Sequence, residues 1–173
     1  LGKTKFIAEK HVINKNLKKK NTIFSAVRFG NIIGSRGSVV PKFLGQIKNN
    51  EPITITDKEM TRYIMTINTA VNLTLKVVEI MRGGEIFILK SMGKFKIYDL
   101  ANSLKKYFKY KKKIKVIGKV KSEKLHERLF TVSESKRIQI FKNIYIINNL
   151  SKKKSTNNSI KSFQEKIKLL TEQ

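Results

Sequence analysis

Residues 28–41 read R-F-G-N-I-I-G-S-R-G-S-V-V-P and decide how the rest of the chain is interpreted. They follow an apolar, β-branched segment at 22–28 that predicts a buried strand. Glycines at 30, 34 and 37 predict a loop over 29–38, and residues 39–48 predict a helix with Pro41 in its first turn. In open α/β sheets, ligands bind at the carboxyl edge of the strands, and glycine lets backbone N–H groups approach a phosphate closely.

Two arginines suggest that the ligand is a phosphate. Arg36 lies within the glycine-rich loop, and Arg62 lies in a second predicted turn at 60–63. A guanidinium offers a planar fork that matches phosphate oxygens bidentately, so two arginines from separate loops could clamp a diphosphate. A surface loop with solvated arginines explains the same residues equally well. The residues by themselves leave both interpretations open.

Strand and helix patterns alternate along the remainder of the chain and predict an α/β fold. Further strands are predicted at 51–56, 63–66, 85–90, 113–117 and 144–147, with a connection at 58–62. Further helices are predicted at 2–17, 68–81, 97–107 and 123–130. The polar segment 151–159 is typical of a linker, and 160–170 of a short tail helix.

The composition is strongly basic, with 38 Lys and Arg against 12 Asp and Glu in 173 residues and a formal net charge of +26. Only six of these cations are arginine, and lysine runs such as 18–20 have no aromatic neighbours. We therefore interpret the surplus as a bias of the solvated surface and do not expect nucleic acid as a partner. A basic module that binds a polyanion is the alternative, with one favourable feature, Tyr107 and Tyr110 beside the run 111–113. The chain has no cysteine and two histidines, so it offers neither disulfides nor the ligands of a zinc site.

Five blocks of the sequence resemble one family, in the same order along the chain. They are G-K-T-K with A-E-K at 2–10, V-R-F-G-N-I-I-G-S-R-G-S-V-V-P at 27–41, M-T-R-Y-I-M-T-I at 60–67, G-G-E-I-F-I-L-K at 83–90 and E-K-L-H-E at 123–127. The chain from residue 1 to about 148 is similar to the extended short-chain dehydrogenase/reductase superfamily. Within it, the blocks resemble the CapD-like, polysaccharide-biosynthesis branch that contains UDP-N-acetylglucosamine 4,6-dehydratases.

The resemblance implies roles for particular residues. Lys5 matches the lysine of the family's Tyr-x-x-x-Lys motif, a catalytic residue that binds the nicotinamide ribose of NAD or NADP. Asn31 and Arg62 match residues that bind the diphosphate of a UDP-sugar substrate. Further residues implied to contact that substrate are Gly34, Ser35, Arg36, Ser38, Val39 and Glu123.

The chain departs from the family pattern at two places. Leu1 stands where the family has the tyrosine that serves as acid/base, and a leucine carries no proton. In the family motif R-P-G-E-K-L-H-E, Val120 replaces the arginine and Ser122 the glycine, which leaves Lys119 or Lys121 as substitutes without bidentate geometry. These departures keep open a relative that retains the fold without catalysis.

The resemblance also implies partners that this sequence does not supply. No G-x-G-x-x-G follows a strand, so we expect a dinucleotide-binding half upstream of Leu1. Residues 1–150 would then form the C-terminal part of a Rossmann-like, doubly wound sheet plus a small α/β substrate-binding subdomain. The predicted function is modification of a UDP-N-acetylhexosamine, by 4,6-dehydration or epimerisation, for a surface polysaccharide or glycan. We expect the full-length parent to be a cytoplasmic homo-oligomer, and a membrane anchor further upstream stays open.

Overall fold

The computed structural model describes residues 2–16, 22–121 and 123–148, which form a mixed α/β fold. The helices are α1 (Gly2–Lys15), α2 (Val39–Lys48), α3 (Ile67–Ile80), α4 (Ile97–Tyr107) and α5 (Val132–Ser135). The strands are β1 (Ala26–Arg28), β2 (Asn31–Ile32), β3 (Thr54–Ile55), β4 (Thr61–Met65), β5 (Glu85–Leu89), β6 (Gly93–Lys96), β7 (Lys115–Val116), β8 (Ile138–Phe141) and β9 (Ile144–Asn148).

The larger sheet has the strand order β1-β5-β9-β8. Strands β1 and β5 are parallel, whereas β9 is antiparallel to both β5 and β8. Side chains of β5 alternate between two core clusters. Ile86 and Ile88 pack with Ile13 of α1, while Phe87 packs with Leu73 of α3. Strand β5 is therefore buried on both faces, which explains its continuous apolar sequence.

A second part of the fold contains the three-stranded sheet β2-β4-β6 and the parallel pair β3-β7. Strand β2 is parallel to β4, and β6 is antiparallel to it. The core of this part joins Phe43 of α2, Ile53 and Ile55 at β3, and Ile97 of α4. These two sheets carry the segments 31–33, 54–56 and 60–64, and so position the site described below.

Three local predictions were wrong. The segment 123–130 is not a helix, because it runs beside β4, where the N–H of Thr61 donates to the carbonyl of Leu125 at 3.0 Å and Thr61 bridges His126. Residues 61 and 62, predicted in a connection, belong to β4, and residues 31 and 32, predicted in a loop, form β2. In each case pairing with a distant segment overrides the local pattern. Strands β6 and β8 and helix α5 were not predicted.

Several predicted features fall outside the described residues, namely Leu1, Ser122, the lysine run 18–20, the linker 151–159 and the tail helix 160–170. Among the helices that are described, none combines the length and the apolar content that a bilayer crossing requires. Nor do the described His, Asp and Glu side chains form a group of three able to hold a metal ion.

Candidate functional site

A cavity of about 230 Å³ is bordered by α2, β2, β3 and β4. Most of its lining is apolar and includes Phe43, Ile55 and Ile97. The polar and charged residues that also line it are Asn31, Ser38, Lys42, Thr54, Thr56, Arg62 and Glu123. Five of the residues predicted from the sequence lie together here, namely Asn31, Ser38, Val39, Arg62 and Glu123.

The register of the small sheet brings Asn31 and Arg62 to this cavity. Asn31 of β2 lies opposite Ile64 of β4. Arg62 and Ile64 are two residues apart in β4, so their side chains point to the same face of the sheet. The N–H of Ile33 then donates to the carbonyl of Met65 at 3.0 Å, which extends the parallel pairing beyond β2.

The Arg62 guanidinium is fixed by hydrogen bonds from Nη1, whereas among the described residues the edge formed by Nη2 and Nε has only longer contacts. Nη1 donates to the carbonyl of Thr61 at 2.8 Å and to that of Leu125 at 3.3 Å. The other nitrogens face carboxylates at longer range, with Nη2 3.6 Å from Glu123 Oε1 and Nε 3.5 Å from Glu127 Oε1. These two contacts are longer than both hydrogen bonds of Nη1 and are ion pairs without direct hydrogen bonds. The side chain is only 13% exposed and lines the cavity.

Two buried polar atoms of the cavity lining have no hydrogen-bond partner among the described residues, namely Ser38 Oγ and Glu123 Oε2. Ser38 is the N-cap residue of α2, yet its side chain makes no capping hydrogen bond. The other oxygen of Glu123, Oε1, accepts a hydrogen bond from Thr56 Oγ1 at 3.3 Å. An unsatisfied buried polar atom costs about 1–3 kcal/mol, so both atoms are suited to bind polar groups of a ligand.

The tip of the glycine-rich loop lies outside this cavity lining. Gly34 and Gly37 adopt φ values of +77° and +74°, and two successive turns close with the hydrogen bonds Ser35 N–H to Ile32 O (3.2 Å) and Ser38 N–H to Ser35 O (3.0 Å). Gly34, Ser35 and Arg36 are exposed at these turns. The structure therefore separates these three predicted substrate residues from the five that line the cavity.

Arg28, at the start of the same loop, has a different environment. Nε and Nη2 donate to Glu9 at 2.7 Å each, Nη1 and Nη2 donate to Glu134 at 3.0 and 2.7 Å, and Nη1 donates to the carbonyl of Leu129 at 2.9 Å. Hydrogen bonds from Arg28, opposed by partial burial, lower the pKa of Glu134 from 4.5 to about 2, and bonds from Thr131 assist. The carboxylates, Glu9 first, raise the pKa of Arg28 further above its ordinary value. Arg28 thus ties α1 and α5 to the beginning of the loop.

Lys5 is exposed on α1 and does not line the cavity. The resemblance assigns this residue to the nicotinamide ribose, but the sequence contains no glycine-rich cradle for the phosphates of a dinucleotide. The residues described therefore do not fit a dinucleotide cofactor by themselves. Lys119 lies 3.9 Å from Asp57, and neither it nor Lys121 lines the cavity.

The sequence did not reveal the partners that Arg62 and Glu123 have in Glu127 and Thr56. Glu127 stands four residues after Glu123 in the block E-K-L-H-E, and an acidic pair in that block could have indicated a partner for Arg62. Thr56 ends a predicted strand, and no feature of the sequence connects it with Glu123.

Comparison with known proteins agrees with this architecture. A family described as polysaccharide biosynthesis protein matches residues 1–149. The capsular polysaccharide biosynthesis protein CapD of Staphylococcus aureus is 44% identical over 149 residues, which cover 84% of this chain and 25% of that protein. A UDP-glucose 4-epimerase of Rickettsia bellii is 39% identical over 150 residues, which cover 85% of this chain and 43% of the epimerase.

A solved structure gives the same picture in three dimensions. The X-ray structure of Pen from Bacillus thuringiensis superposes with a TM-score of 0.80 at 39% identity, covering 90% of this chain and 50% of that one. The predicted Rossmann-like α/β class is thereby confirmed. The chain spans half or less of the length of each of these proteins. From the match over residues 1–149 and these identities, the chain belongs to the polysaccharide biosynthesis protein family.

Proposed function

We propose that this chain supplies the sugar-nucleotide-binding part of an NAD(P)-dependent enzyme that modifies a UDP-N-acetylhexosamine for surface polysaccharide. The reaction would be 4,6-dehydration or 4-epimerisation. One observation carries the proposal. Among the described residues, Arg62 has one edge free of direct hydrogen bonds and shares a cavity with two buried polar atoms that have no partner, Ser38 Oγ and Glu123 Oε2.

The diphosphate is assigned to Arg62 and Asn31. Nη2 and Nε of Arg62 face carboxylates at 3.6 and 3.5 Å, so phosphate oxygens can replace these contacts with shorter, charge-assisted hydrogen bonds. Nη1 stays anchored on two backbone carbonyls, which holds the fork in place while its other edge binds. Asn31 is exposed on the neighbouring strand and offers an amide donor to the same phosphates.

The nucleoside is assigned to the interior of the cavity. Phe43, Ile55 and Ile97 provide apolar surface for a planar base. Glu123 Oε2 is an acceptor without a donor in the described part of the chain, and a ribose hydroxyl would supply one. The volume of about 230 Å³ lies below the ~300–1,000 Å³ of typical ligand pockets and suits one part of a nucleotide sugar.

The redox chemistry is assigned to NAD or NADP, which supplies hydride transfer when bound. Lys5 is the residue of this chain that we propose for the nicotinamide ribose. The phosphates of the cofactor need a glycine-rich cradle, which we place in a dinucleotide-binding half outside this sequence. We propose residues 1–150 as the unit that joins that half, in an enzyme that forms homo-oligomers.

Binding is tested by isothermal titration calorimetry with uridine, UMP and UDP. Replacing Arg62 by alanine is expected to weaken UDP binding about 10- to 100-fold, because hydrogen bonds to charged groups contribute ~1.5–3 kcal/mol. Uridine binding should change little, since it carries no phosphate. Arg62→Lys keeps the charge without the fork and should recover only part of the loss.

Arg137→Ala is the matched control, because Arg137 is exposed and donates only to the carbonyl of Asn148 at 3.4 Å among the described residues. Thermal unfolding of each variant verifies that the fold is kept. Equal UDP affinity in the wild type and in both Arg62 variants would refute the assignment.

Turnover is tested separately in the full-length parent, in which the dinucleotide-binding half is present, because we expect this chain alone not to turn over. The substrates are UDP-N-acetylglucosamine and NAD, and the reaction is followed by proton NMR. Loss of water converts the C6 methylene into a methyl group, whereas epimerisation keeps the methylene and changes the H3–H4 and H4–H5 coupling constants. Intact UDP binding without turnover favours the alternative, a relative that binds the substrate without catalysis. Val120, which replaces the family arginine, favours that alternative, since it is 67% exposed and does not line the cavity.

A further inference from the structure

The segment 105–121, which we call the lysine segment, has a composition unlike the rest of the fold. It contains nine lysines and no Asp or Glu. It begins in the last turn of α4, passes through β7 and ends two residues before Glu123. None of its cations is an arginine. A run of 17 residues with a formal charge of +9 forms a concentrated positive surface.

The lysine segment is anchored on its inner side. Tyr110 and Ile114 pack against the core that contains Phe43 and Ile97. The hydroxyl of Tyr110 donates to the carbonyl of Glu51 at 2.7 Å, and the N–H of Lys115 donates to the carbonyl of Ile53 at 2.8 Å. The segment is therefore a fixed part of the folded protein.

Its charges are directed outward and are not neutralised within the described part of the chain. Eight of the nine lysines are exposed, and Lys105 is half-buried. Only Lys119 has a carboxylate within ion-pair distance among the described residues, at 3.9 Å from Asp57. Lys112 donates to the carbonyl of Asn50, which carries no net charge. The segment thus presents a surface with unbalanced positive charge.

Large apolar side chains are exposed along the same segment. Tyr107 is 80% exposed and Val120 67% exposed. Exposed apolar patches are typical of surfaces that bind a partner or a membrane. The other exposed apolar residues of the segment are Phe108, Val116 and Ile117. Aromatic residues and lysines together are typical of the membrane–water interface, where the ring enters the headgroup layer and the ammonium contacts anionic lipids.

We infer that the lysine segment docks the protein on the surface of an anionic lipid bilayer. The positive charge of the segment favours a negatively charged partner. The exposed side chains of Tyr107, Ile117 and Val120 favour a lipid bilayer, which has an apolar layer beneath its charged headgroups. A nucleic acid fits less well, because phosphate and base recognition favour the bidentate fork of arginine, which the segment lacks. Lysine binds lipid headgroups as a point charge and needs no fixed geometry.

The test is cosedimentation of the full chain with vesicles of phosphatidylcholine alone or with added phosphatidylglycerol. The quadruple variant Lys109→Gln, Lys111→Gln, Lys113→Gln and Lys115→Gln removes four exposed lysines of the segment. At about fivefold per lysine near an anionic surface, partitioning should fall by ~100-fold or more. The charge-matched control replaces four exposed lysines from other elements, namely Lys15, Lys90, Lys94 and Lys136.

Tyr107→Ser tests the apolar contribution at an exposed position, where the ring contacts Phe108 edge to face. It should lower retention on anionic vesicles several-fold at unchanged net charge. Thermal unfolding curves verify that all variants remain folded.

The inference is supported by binding that needs phosphatidylglycerol, weakens with salt and is lost in the segment variant but kept in the control. It is overturned by equal binding to neutral vesicles, by equal loss in the control, or by retention unchanged in Tyr107→Ser. It is also overturned if single-stranded RNA binds through the same four lysines more tightly than the vesicles do.

Discussion

The network around Arg28 allows a quantitative prediction about stability. Glu134 is replaced by Gln, which keeps the size of the side chain and removes its charge. Arg28 is 19% exposed and Glu134 only 8% exposed, so the pair is shielded from water. The pKa of Glu134 is lowered from 4.5 to about 2, chiefly by the hydrogen bonds from Arg28. At ~1.4 kcal/mol per pKa unit this corresponds to ~3.5 kcal/mol, which we reduce to about 2 kcal/mol for solvent screening.

The sign of the pH dependence follows from the direction of the shift. A carboxylate with a lowered pKa in the folded state stabilises that state at pH values above its unfolded pKa. The contribution of Glu134 is therefore complete above about pH 5 and is lost as the pH falls through the folded value of about 2. The variant has no such group, so its stability should depend less on pH in this window.

The assay is urea unfolding, followed by circular dichroism, at several pH values between 7 and 2.5. At pH 7 Glu134→Gln should be less stable than the wild type by about 2 kcal/mol, and the difference should shrink toward pH 2.5. The control is Glu79→Gln. Glu79 is 57% exposed and pairs with Lys76 on α3, so its loss should cost less than ~0.5 kcal/mol. A difference between wild type and Glu134→Gln that stays constant from pH 7 to 2.5 would refute the electrostatic explanation.

Three further predictions concern the scaffold and the site. Gly30→Ala should destabilise the protein by ~1–3 kcal/mol in thermal unfolding, because a Cβ there would lie 2.8 Å from the carbonyl oxygen of Tyr63. Gly45→Ala in α2 should be neutral or stabilising, because among the described residues a Cβ there would meet no atom within 4 Å beyond the adjacent backbone of its own helix. Glu85→Gln should cost ~2 kcal/mol by the same measurement, because the carboxylate accepts hydrogen bonds from Ser25, Arg82 N–H and Gly83 N–H, and an amide cannot accept all three. Glu127→Gln should tighten UDP binding by about twofold to fivefold in calorimetry, because it removes a negative charge near the proposed diphosphate, and weaker binding would contradict this.

The parts of the fold that the sequence predicts are those with strong local signals. The strand predicted at 85–90 contains the continuous apolar run 86–89, and the helix at 39–48 has a defined start at Ser38. Strand β6, by contrast, alternates Lys94, Phe95 and Lys96 at an edge and is mostly exposed, so it has no apolar pattern. The segment 123–130 has helix-forming residues but pairs with Thr61 of β4, a contact 65 residues away that no local pattern encodes.

The sequence predicted several residues of the candidate site, but it did not predict how they are arranged in space. Asn31, Arg62 and Glu123 come from three segments, and only strand pairing brings them to one cavity. Arg36 was expected beside them because it stands in the same loop as Asn31. Two turns at positive-φ glycines place it outside the lining, and the order of residues in a loop does not reveal the direction of such turns.

Arg28 and Arg62 differ in their hydrogen bonds, and the sequence by itself does not reveal this difference. Arg28 donates hydrogen bonds of 2.7–3.0 Å from all three nitrogens, so another acceptor would have to displace one already in place. Arg62 has short contacts from Nη1 alone, and its remaining edge faces Glu123 and Glu127 at 3.6 and 3.5 Å. Glu127 is 42% exposed, so it can turn toward water when a phosphate approaches. A diphosphate would thus exchange two weak ion pairs for bidentate hydrogen bonds at Arg62, whereas at Arg28 the same exchange gains nothing.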